Sequence, residues 1–393
     1  MYLTLEDVFY HIRNGANIKQ SDTASGFPIT RIETISNGIL DYKKMGYANI
    51  FELTDYMNHI LEPGDILMSH INSENHLGKS AIFLDRDKKI IHGMNLLSLR
   101  AKQDILLPEF AIFYFKNELF IREIPKIMKK SVNQASFSVT DLKKISIYVP
   151  DIEEQQKISK ILTTAQHLID KRKEQIEACD ELVKSLFYHM FGDPVGNPKG
   201  HQKRRLKEIS NVVTGNTPSR EKKENYGDFI EWIKSDNINT PNDYITPALE
   251  NLSEIGLLHG RAVESNSILM TCIAGSLSCI GNVALTDRKV AFNQQINAIT
   301  CMEEVVIHHF MYAQLLLSKG YIQRSSTNGM KGMVSKGVLS ELTFIVPSLS
   351  MQKDFSQVFI AIQSQKQKLQ QSLTELENNF NALMQRAFKG ELF

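Results

Sequence analysis

The sequence predicts a mixed α/β (α+β) molecule: two similar mixed domains joined by two long antiparallel coiled-coil helices, with an internal pseudo-twofold repeat. Three observations predict this. Residues 137–191 and 334–388 align without a gap at a constant offset of 197, so that Val149-Pro150 matches Val346-Pro347, Gln155 matches Gln352, and Phe191 matches Phe388. Two stretches of about 40 residues, Ile152 to Phe191 and Leu349 to Phe388, contain neither Gly nor Pro, enough for roughly 60 Å of helix each. The segment before each helix is rich in short β-like runs separated by turn residues. A repeat this long exceeds a solenoid unit and reads as a duplicated module.

In chain order, LTLEDVFYHI opens the first unit as a short helix or turn. FPITRIETI, DILMSHI and SAIFLD read as strands. PEFAIFYFKNELFIREIPKIM is helix-like, with an interruption expected at Pro125. LKKISIYVP is a strand stopped by Pro150. The first long helix carries apolar residues at three-four spacing, with Ile158, Ala165, Ile176 and Leu186 on its seam. Gly192-Asp193-Pro194 ends it, and VGNPKG continues as a turn-rich linker. The second unit repeats the pattern with EISNVVTGNTP, FIEWIKS, SILMTCI, GNVALT and VAFNQQINAIT as strands and VVIHHFMYAQLLLSKGYI as a helix. The second long helix repeats the seam at Phe355, Ile362, Leu373 and Leu383. The expected boundaries are 1–150 for the first domain, 151–192 for the first long helix, 193–202 for the linker, 203–347 for the second domain and 348–393 for the second long helix.

A helix with one apolar stripe needs a partner, and the nearest is the other copy in the same chain. A twofold axis perpendicular to the helices makes them antiparallel. Tyr188, Phe187, Phe380 and Phe388 lie off a single stripe and are expected to extend apolar surface toward further subunits. The upstream parts of the two halves match loosely: LEPGDILMSHI echoes VESNSILMTCI, and HGMNLLSLR sits like FNQQINAIT, with the offset drifting between 202 and 200. A constant scaffold carrying two variable surfaces suits recognition of two half-sites.

Composition bounds the chemistry. With 45 Lys and Arg against 44 Asp and Glu the net charge is +1, so only local patches could meet phosphates. One basic stretch holds Lys116, Arg122, Lys126, Lys129, Lys130, Lys143 and Lys144; another holds Lys199, Lys203, Arg204, Arg205, Lys207, Arg220, Lys222 and Lys223. The four cysteines, 179, 272, 279 and 301, lack CxxC spacing and read as small apolar residues. There is no membrane-length apolar run and no basic-then-apolar leader pattern after Met1, and the expected location is cytoplasmic. Gly78-Lys79-Ser80 lacks the first glycine of a phosphate loop, which would fall at Ser73. No GxGxxG, HExxH or metal-spaced His/Cys set is present, so no catalytic site and no metal site is expected in this chain.

GNTPSREKKENYGDFIEWIKSDNI (215–238), the junctions DLKKISIYVPDIEEQQKI and SELTFIVPSLSMQKDF, and the linker MFGDPVGNPKG together resemble the specificity subunit of type I restriction-modification enzymes. The resemblance runs the length of the chain. The first half departs from it in having Gly15-Ala16-Asn17-Ile18 where a GxTP turn is expected, and the linker has His201 in place of an aromatic such as Trp. The resemblance implies two target recognition domains and a sequence-specific, DNA-binding, non-catalytic subunit of a restriction endonuclease/adenine-N6 DNA methyltransferase complex. It implies a bipartite double-stranded DNA target whose unread spacer is set by the helices. It also implies two methyltransferase subunits as partners, with restriction/translocase subunits as further ones. S-adenosylmethionine, ATP and Mg are then expected on those partners and not here. The competing reading is a two-headed adaptor for protein partners.

Phosphate contacts position such a protein, and amide or bidentate side chains at base edges specify sequence. The candidates are Lys19, Gln20, Arg31, Ser69, Asn72, Lys79, Asn133 and Gln134 in the first domain. In the second they are Thr217, Ser219, Arg220, Lys234, Asn293, Gln294, Asn328 and Lys331.

Overall fold

The computed structural model describes residues 1–392 except Asn37, Asn133 and 328–331. The chain divides into two compact units: Met1–Arg172 with Ser372–Phe393, and Lys173–Gln371. Each unit therefore contains one globular domain, part of one long helix and the opposite part of the other.

The first unit is built on a four-stranded antiparallel sheet of β1 (Phe9–Asn14), β2 (Ile66–Ser69), β3 (Ser80–Ile82) and β4 (Leu96–Ala101), in spatial order β1-β4-β2-β3. Helix α1 (Pro108–Lys116) covers one face with Phe110, Ala111, Tyr114 and Phe115, all buried. The strands Tyr2–Thr4 and Ser146–Tyr148 pair antiparallel and bring the two ends of the domain together. The predicted break at Pro125 is corrected. The helix-like stretch first breaks at Asn117, whose side chain accepts the Leu119 N–H at 2.9 Å to cap the next turn, and Pro125 opens a further turn. Proline in the first turn lacks only an N–H that would have no partner there. FPITRIETI is also only partly strand. Pro28–Ile29 is extended, and Ile32–Ile35 is a 3₁₀ turn in which Thr34 Oγ1 accepts the Arg31 N–H at 2.8 Å.

The second unit repeats this plan. Strands β5 (Ser210–Thr214), β6 (Tyr226–Ile233), β7 (Ser267–Thr271), β8 (Val283–Leu285), β9 (Val290–Phe292) and β10 (Ile296–Cys301) follow in order. Four of them form the matching sheet β5-β10-β7-β8, under helix α3 (His308–Leu317). The other two join the short strands Asn251–Leu252 and Ala262–Val263 in a second four-stranded sheet, with β6 parallel to β9. At that level the first unit has, among the described residues, the pair Pro28–Ile29 and Gly46–Tyr47, with single bridges from Ile29 (parallel) and Ile60 (antiparallel) to Ile91. Lys203–Arg205 closes the second domain against Thr343–Ile345.

The long helices span Ile152–Phe191 (α2) and Leu349–Lys389 (α4). In the first unit Ile158 and Leu162 of α2 share a core with Met384, Ala387 and Phe388 of α4. In the second, Val183, Phe187 and Phe191 of α2 share one with Phe355, Phe359 and Ile362 of α4. The start of one helix thus meets the end of the other in both units, which makes the pair antiparallel. The exchange is reciprocal: Phe388 sits edge-on to Phe110, ring centroids 5.2 Å apart, and Phe191, 197 residues earlier, sits edge-on to Phe310 at 4.9 Å. On the seam, Ile158, Phe355 and Ile362 are buried, whereas Ala165, Ile176, Leu186, Leu373 and Leu383 are half-buried. Phe187 and Phe388 were expected to extend surface apolarity. They are instead buried, because each is the ring that the helix end inserts into a domain core. Tyr188 is 39% exposed and Phe380 half-buried.

The junction motif has a physical cause. Gln155, fully buried, accepts the Leu107 N–H through Oε1 at 2.8 Å and donates through Nε2 to the carbonyls of Ile105 (2.8 Å) and Pro150 (2.9 Å). Gln352 repeats this with Ile307 N–H (2.9 Å), Val305 O (3.2 Å) and Pro347 O (2.9 Å). An amide both accepts and donates, so one side chain satisfies three backbone groups that are otherwise buried and unpaired. The linker is self-contained. Asp193 accepts the Val195 and Gly196 N–H groups at 3.1 and 3.0 Å, and Lys199 Nζ donates to the carbonyls of His189 and Met190 at the helix end. His201 packs edge-on against Phe191 at 6.1 Å, so its imidazole fills the place expected for a larger aromatic ring.

Candidate nucleic-acid interface

Turn chemistry sets the site in the second domain. Gly215 leaves β5 so close to the 292–293 backbone that a Cβ there would lie 2.2 Å from Asn293 O. Only glycine admits this approach. Gly15 stands in the same relation to the 92–93 backbone, with a built Cβ 2.3 Å from His92 O, so the first domain keeps the glycine without the rest of the GxTP turn. After Gly215 the loop is held from below. Trp232 Nε1 donates to Asn216 O at 3.3 Å, Tyr226 Oη to Pro218 O at 2.8 Å, and Asn225 Nδ2 to Ser219 O at 2.9 Å. Its outward side chains are left exposed: Thr217, Ser219 and Arg220.

Five of the candidates meet around this loop. Thr217 Oγ1 hydrogen-bonds Gln294 Oε1. Arg220 donates twice to Glu250, at 2.9 and 3.1 Å, and Lys234 Nζ donates to the same carboxylate at 2.5 Å. The Arg220 guanidinium lies over the rings of Tyr226 (5.2 Å) and Trp232 (5.5 Å), and Lys234 Nζ over Trp232 (5.2 Å). Hydrogen bonds from Arg220, then from Lys234, hold the Glu250 carboxyl below its usual range. Asn293 is buried and accepts the Gln295 N–H at 3.0 Å, so it orders the turn, while the neighbouring Gln294 is exposed. Two cations on one carboxylate above two aromatic rings form a local positive, planar surface of the kind that meets phosphates or base edges. Asn328 and Lys331 lie outside the described residues.

The first domain places its candidates in two groups. Arg31 donates to Gln20 Oε1 at 2.7 Å, to Asp22 at 2.5 Å and to Ser21 O at 3.1 Å, beside the 92–93 turn that corresponds to the Gln294 loop. Lys19 is exposed next to Gln20. The second group lies at the small sheet of Ile71–Asn72, Ala135–Ser136 and Lys129–Lys130. There Asn72 Nδ2 donates to Ser69 Oγ at 3.4 Å, Gln134 is exposed, and the Lys79 carbonyl accepts the Ser69 N–H at 2.9 Å. Ser69 itself is buried, so it supports Asn72 and presents little of its own surface. Lys79 Nζ donates to Ser36 O at 3.2 Å and Ser80 opens β3, so Gly78-Lys79-Ser80 is the entry to a strand. Asn133 lies outside the described residues.

Sequence reading missed Glu250, Tyr226 and Trp232. The one available signal was the single Trp of the chain, standing in FIEWIKS two residues before Lys234. Part of each basic run is ion-paired where it stands: Arg122 with Glu118, Lys126 with Glu123, Lys130 with Glu74, Lys143 with Glu6, and both Arg205 and Lys207 with Glu341. Among the described residues no group of His, Cys, Asp and Glu is arranged to hold a metal ion, and no helix is long and apolar enough to cross a membrane. Cys272 and Cys301 are buried and Cys179 and Cys279 half-buried; burial pushes the Cys272 thiol up to about 12.

Two copies of one domain, each ending in a helix that completes the other unit's core, define a duplicated recognition scaffold. The family model described as the type I restriction modification DNA specificity domain matches residues 1–178 and again 198–378, and the chain belongs to that family. It is 29% identical over 372 residues to the putative type I restriction enzyme MjaX specificity subunit of Methanocaldococcus jannaschii, covering 91% of this chain and 85% of that one. It is 22% identical to the HindI specificity subunit of Haemophilus influenzae, covering 80% and 83%. Its fold is similar to the solved S subunit of a type I restriction-modification system from M. genitalium (TM-score 0.59, 15% identity, 99% and 96% covered). It is also similar to a chain from a study of type I complex assembly and conformational transition (TM-score 0.56, 14% identity, 100% and 98% covered).

Proposed function

We propose that this chain is the non-catalytic specificity subunit of a type I restriction-modification complex and reads a bipartite duplex target, one recognition domain per half. The observation that carries this is the reciprocal exchange: Phe191 closes the second domain's core and Phe388 the first's, so two variable readers are built on one repeated, helix-linked frame. The relatives of similar length are named specificity subunits, which supports the same reading. In the second domain the readers are Thr217, Ser219, Arg220, Lys234 and Gln294, with Asn293 ordering their turn. In the first they are Lys19, Gln20, Arg31, Asn72, Lys79 and Gln134, with Ser69 behind Asn72. Asn133, Asn328 and Lys331 belong to the same proposed set. The antiparallel helices set the unread spacer and scaffold two methyltransferase subunits, with restriction/translocase subunits added to that assembly in the cytoplasm. S-adenosylmethionine, ATP and Mg act on those partners.

The test is to map methylated adenines in host DNA with and without the gene, and then with residues 203–347 exchanged for a relative's segment. One block of a two-block motif should change and the other stay. Loss of both blocks together defeats the independent-reader model. The adaptor reading instead requires that purified complex show no salt-sensitive affinity for duplex DNA.

A further inference from the structure

The repeat of the helix junctions is broken at one buried position. Lys366 of α4 is only 3% exposed although its side chain ends in an ionisable amine. Its Nζ donates to Asp180 of α2 at 2.5 Å and to Asp243, in the loop between β6 and the strand Asn251–Leu252, at 2.7 Å. Asp243 is itself largely buried, and its other oxygen accepts the Tyr312 hydroxyl of α3 at 2.9 Å. One ammonium therefore joins both helices and the second domain, all within the second unit. Burial alone would push the Lys366 ammonium down, but the two carboxylates outweigh it and hold the group above its usual range. Asp180 is half-exposed, and partial desolvation still holds its carboxyl above the usual range against the pull of Lys366. In the first unit the position 197 residues before Lys366 is Ile169, which is buried and apolar.

A buried ion pair adds little net stability over a well-packed apolar contact, but losing one partner is costly because the other charge stays buried; without Asp243 the Lys366 ammonium keeps only the half-exposed Asp180, and the buried Tyr312 hydroxyl loses its acceptor. Such a group therefore discriminates between partners more than it stabilises any one of them. We propose that Lys366 is a positioning residue that selects which second domain the helix pair accepts: the segment 203–347 must present a carboxylate at the place of Asp243. The matching position in the first unit, Ile169, carries no charge and so makes no such demand. This rests on the reading of 203–347 as an exchangeable recognition domain.

The test is a double-substitution cycle in the full chain, followed by domain exchange. Asp243→Ala should lower the urea midpoint of the second unit, followed by hydrogen exchange, by about 1 M. Asp243→Ala with Lys366→Met should recover at least half of that loss. A transplanted domain without an acid at this place should restore methylation of a new motif at least tenfold better in a Lys366→Met background than in the wild-type one. The proposal is overturned if the double variant is no more stable than Asp243→Ala, or if Asp243→Ala has no effect. The cycle is read on the protein alone, so it stands or falls apart from DNA reading. A cycle that shows coupling while no transplanted domain changes the motif would fault the recognition-domain reading, not the role of Lys366.

Discussion

Replacing Gln352 by Leu tests whether the junction amide is what joins the second domain to its helix. The side chain is fully buried and nearly matched in volume by leucine, so packing is largely conserved. Three hydrogen bonds vanish, leaving Ile307 N–H, Val305 O and Pro347 O unpaired. A buried polar group left without a partner costs about 1–3 kcal/mol, with an N–H at the upper end and carbonyls lower. Even with partial relaxation the sum is about 3 kcal/mol, roughly a hundredfold in the folding equilibrium. Two compact units need not unfold together, so the loss should be read unit by unit, by hydrogen exchange in a urea series. Protection should fall in Lys173–Gln371 and remain in the rest of the chain. Gln155→Leu should do the reverse at similar cost, because its three bonds have the same partners one repeat earlier. A loss below about 1 kcal/mol, or an equal loss in both units from either substitution, would refute the clamp.

Glu250→Gln removes the charge shared by Arg220 and Lys234. Nonspecific duplex affinity should rise and the slope of log affinity against log salt steepen by about 1, as one more phosphate is neutralised; an unchanged slope in fluorescence anisotropy would mean these cations do not face DNA. Gly215→Ala drives a methyl group into the carbonyls of Phe292 and Asn293, so it should displace the 216–220 loop and weaken specific binding by about tenfold while nonspecific binding stays; equal affinity for the specific duplex would exclude the loop from reading. Burial raises the thiol pKa values of Cys272 and Cys301, so at pH 8 both remain neutral and enclosed. A maleimide should modify Cys179 and Cys279 first in the native protein and all four only after unfolding, and rapid native labelling of Cys301 would show that its core opens.

The repeat and the two long helices were legible because their signals are local. A 197-residue offset held over 55 positions and a three-four apolar spacing need no knowledge of the fold. The glutamines and prolines of the junctions were legible as a pattern but not as a mechanism: their partners, Ile105, Leu107, Val305 and Ile307, lie about 50 residues away. Phe187 and Phe388 show the limit of helical periodicity. Their positions off the seam read as exposed surface, but a helix end that enters another domain's core buries more than one face.

The candidate readers were chosen by residue type and loop position, and the structure sorted them by what they touch. Thr217 and Gln294 meet across 77 residues and Arg220 and Glu250 across 30, separations no spacing rule reaches. Ser69 and Asn293 turned inward to order their own turns. By itself the sequence determined that the molecule is duplicated, mixed α/β and spanned by two uninterrupted helices, because backbone propensity and periodicity are written in neighbouring residues. Tertiary structure decided which helix end closes which core, why one carboxylate gathers two cations over Trp232, and how a lysine comes to lie buried between two aspartates. Each of those depends on groups brought together from distant parts of the chain, where burial and charge act on whatever the fold makes adjacent.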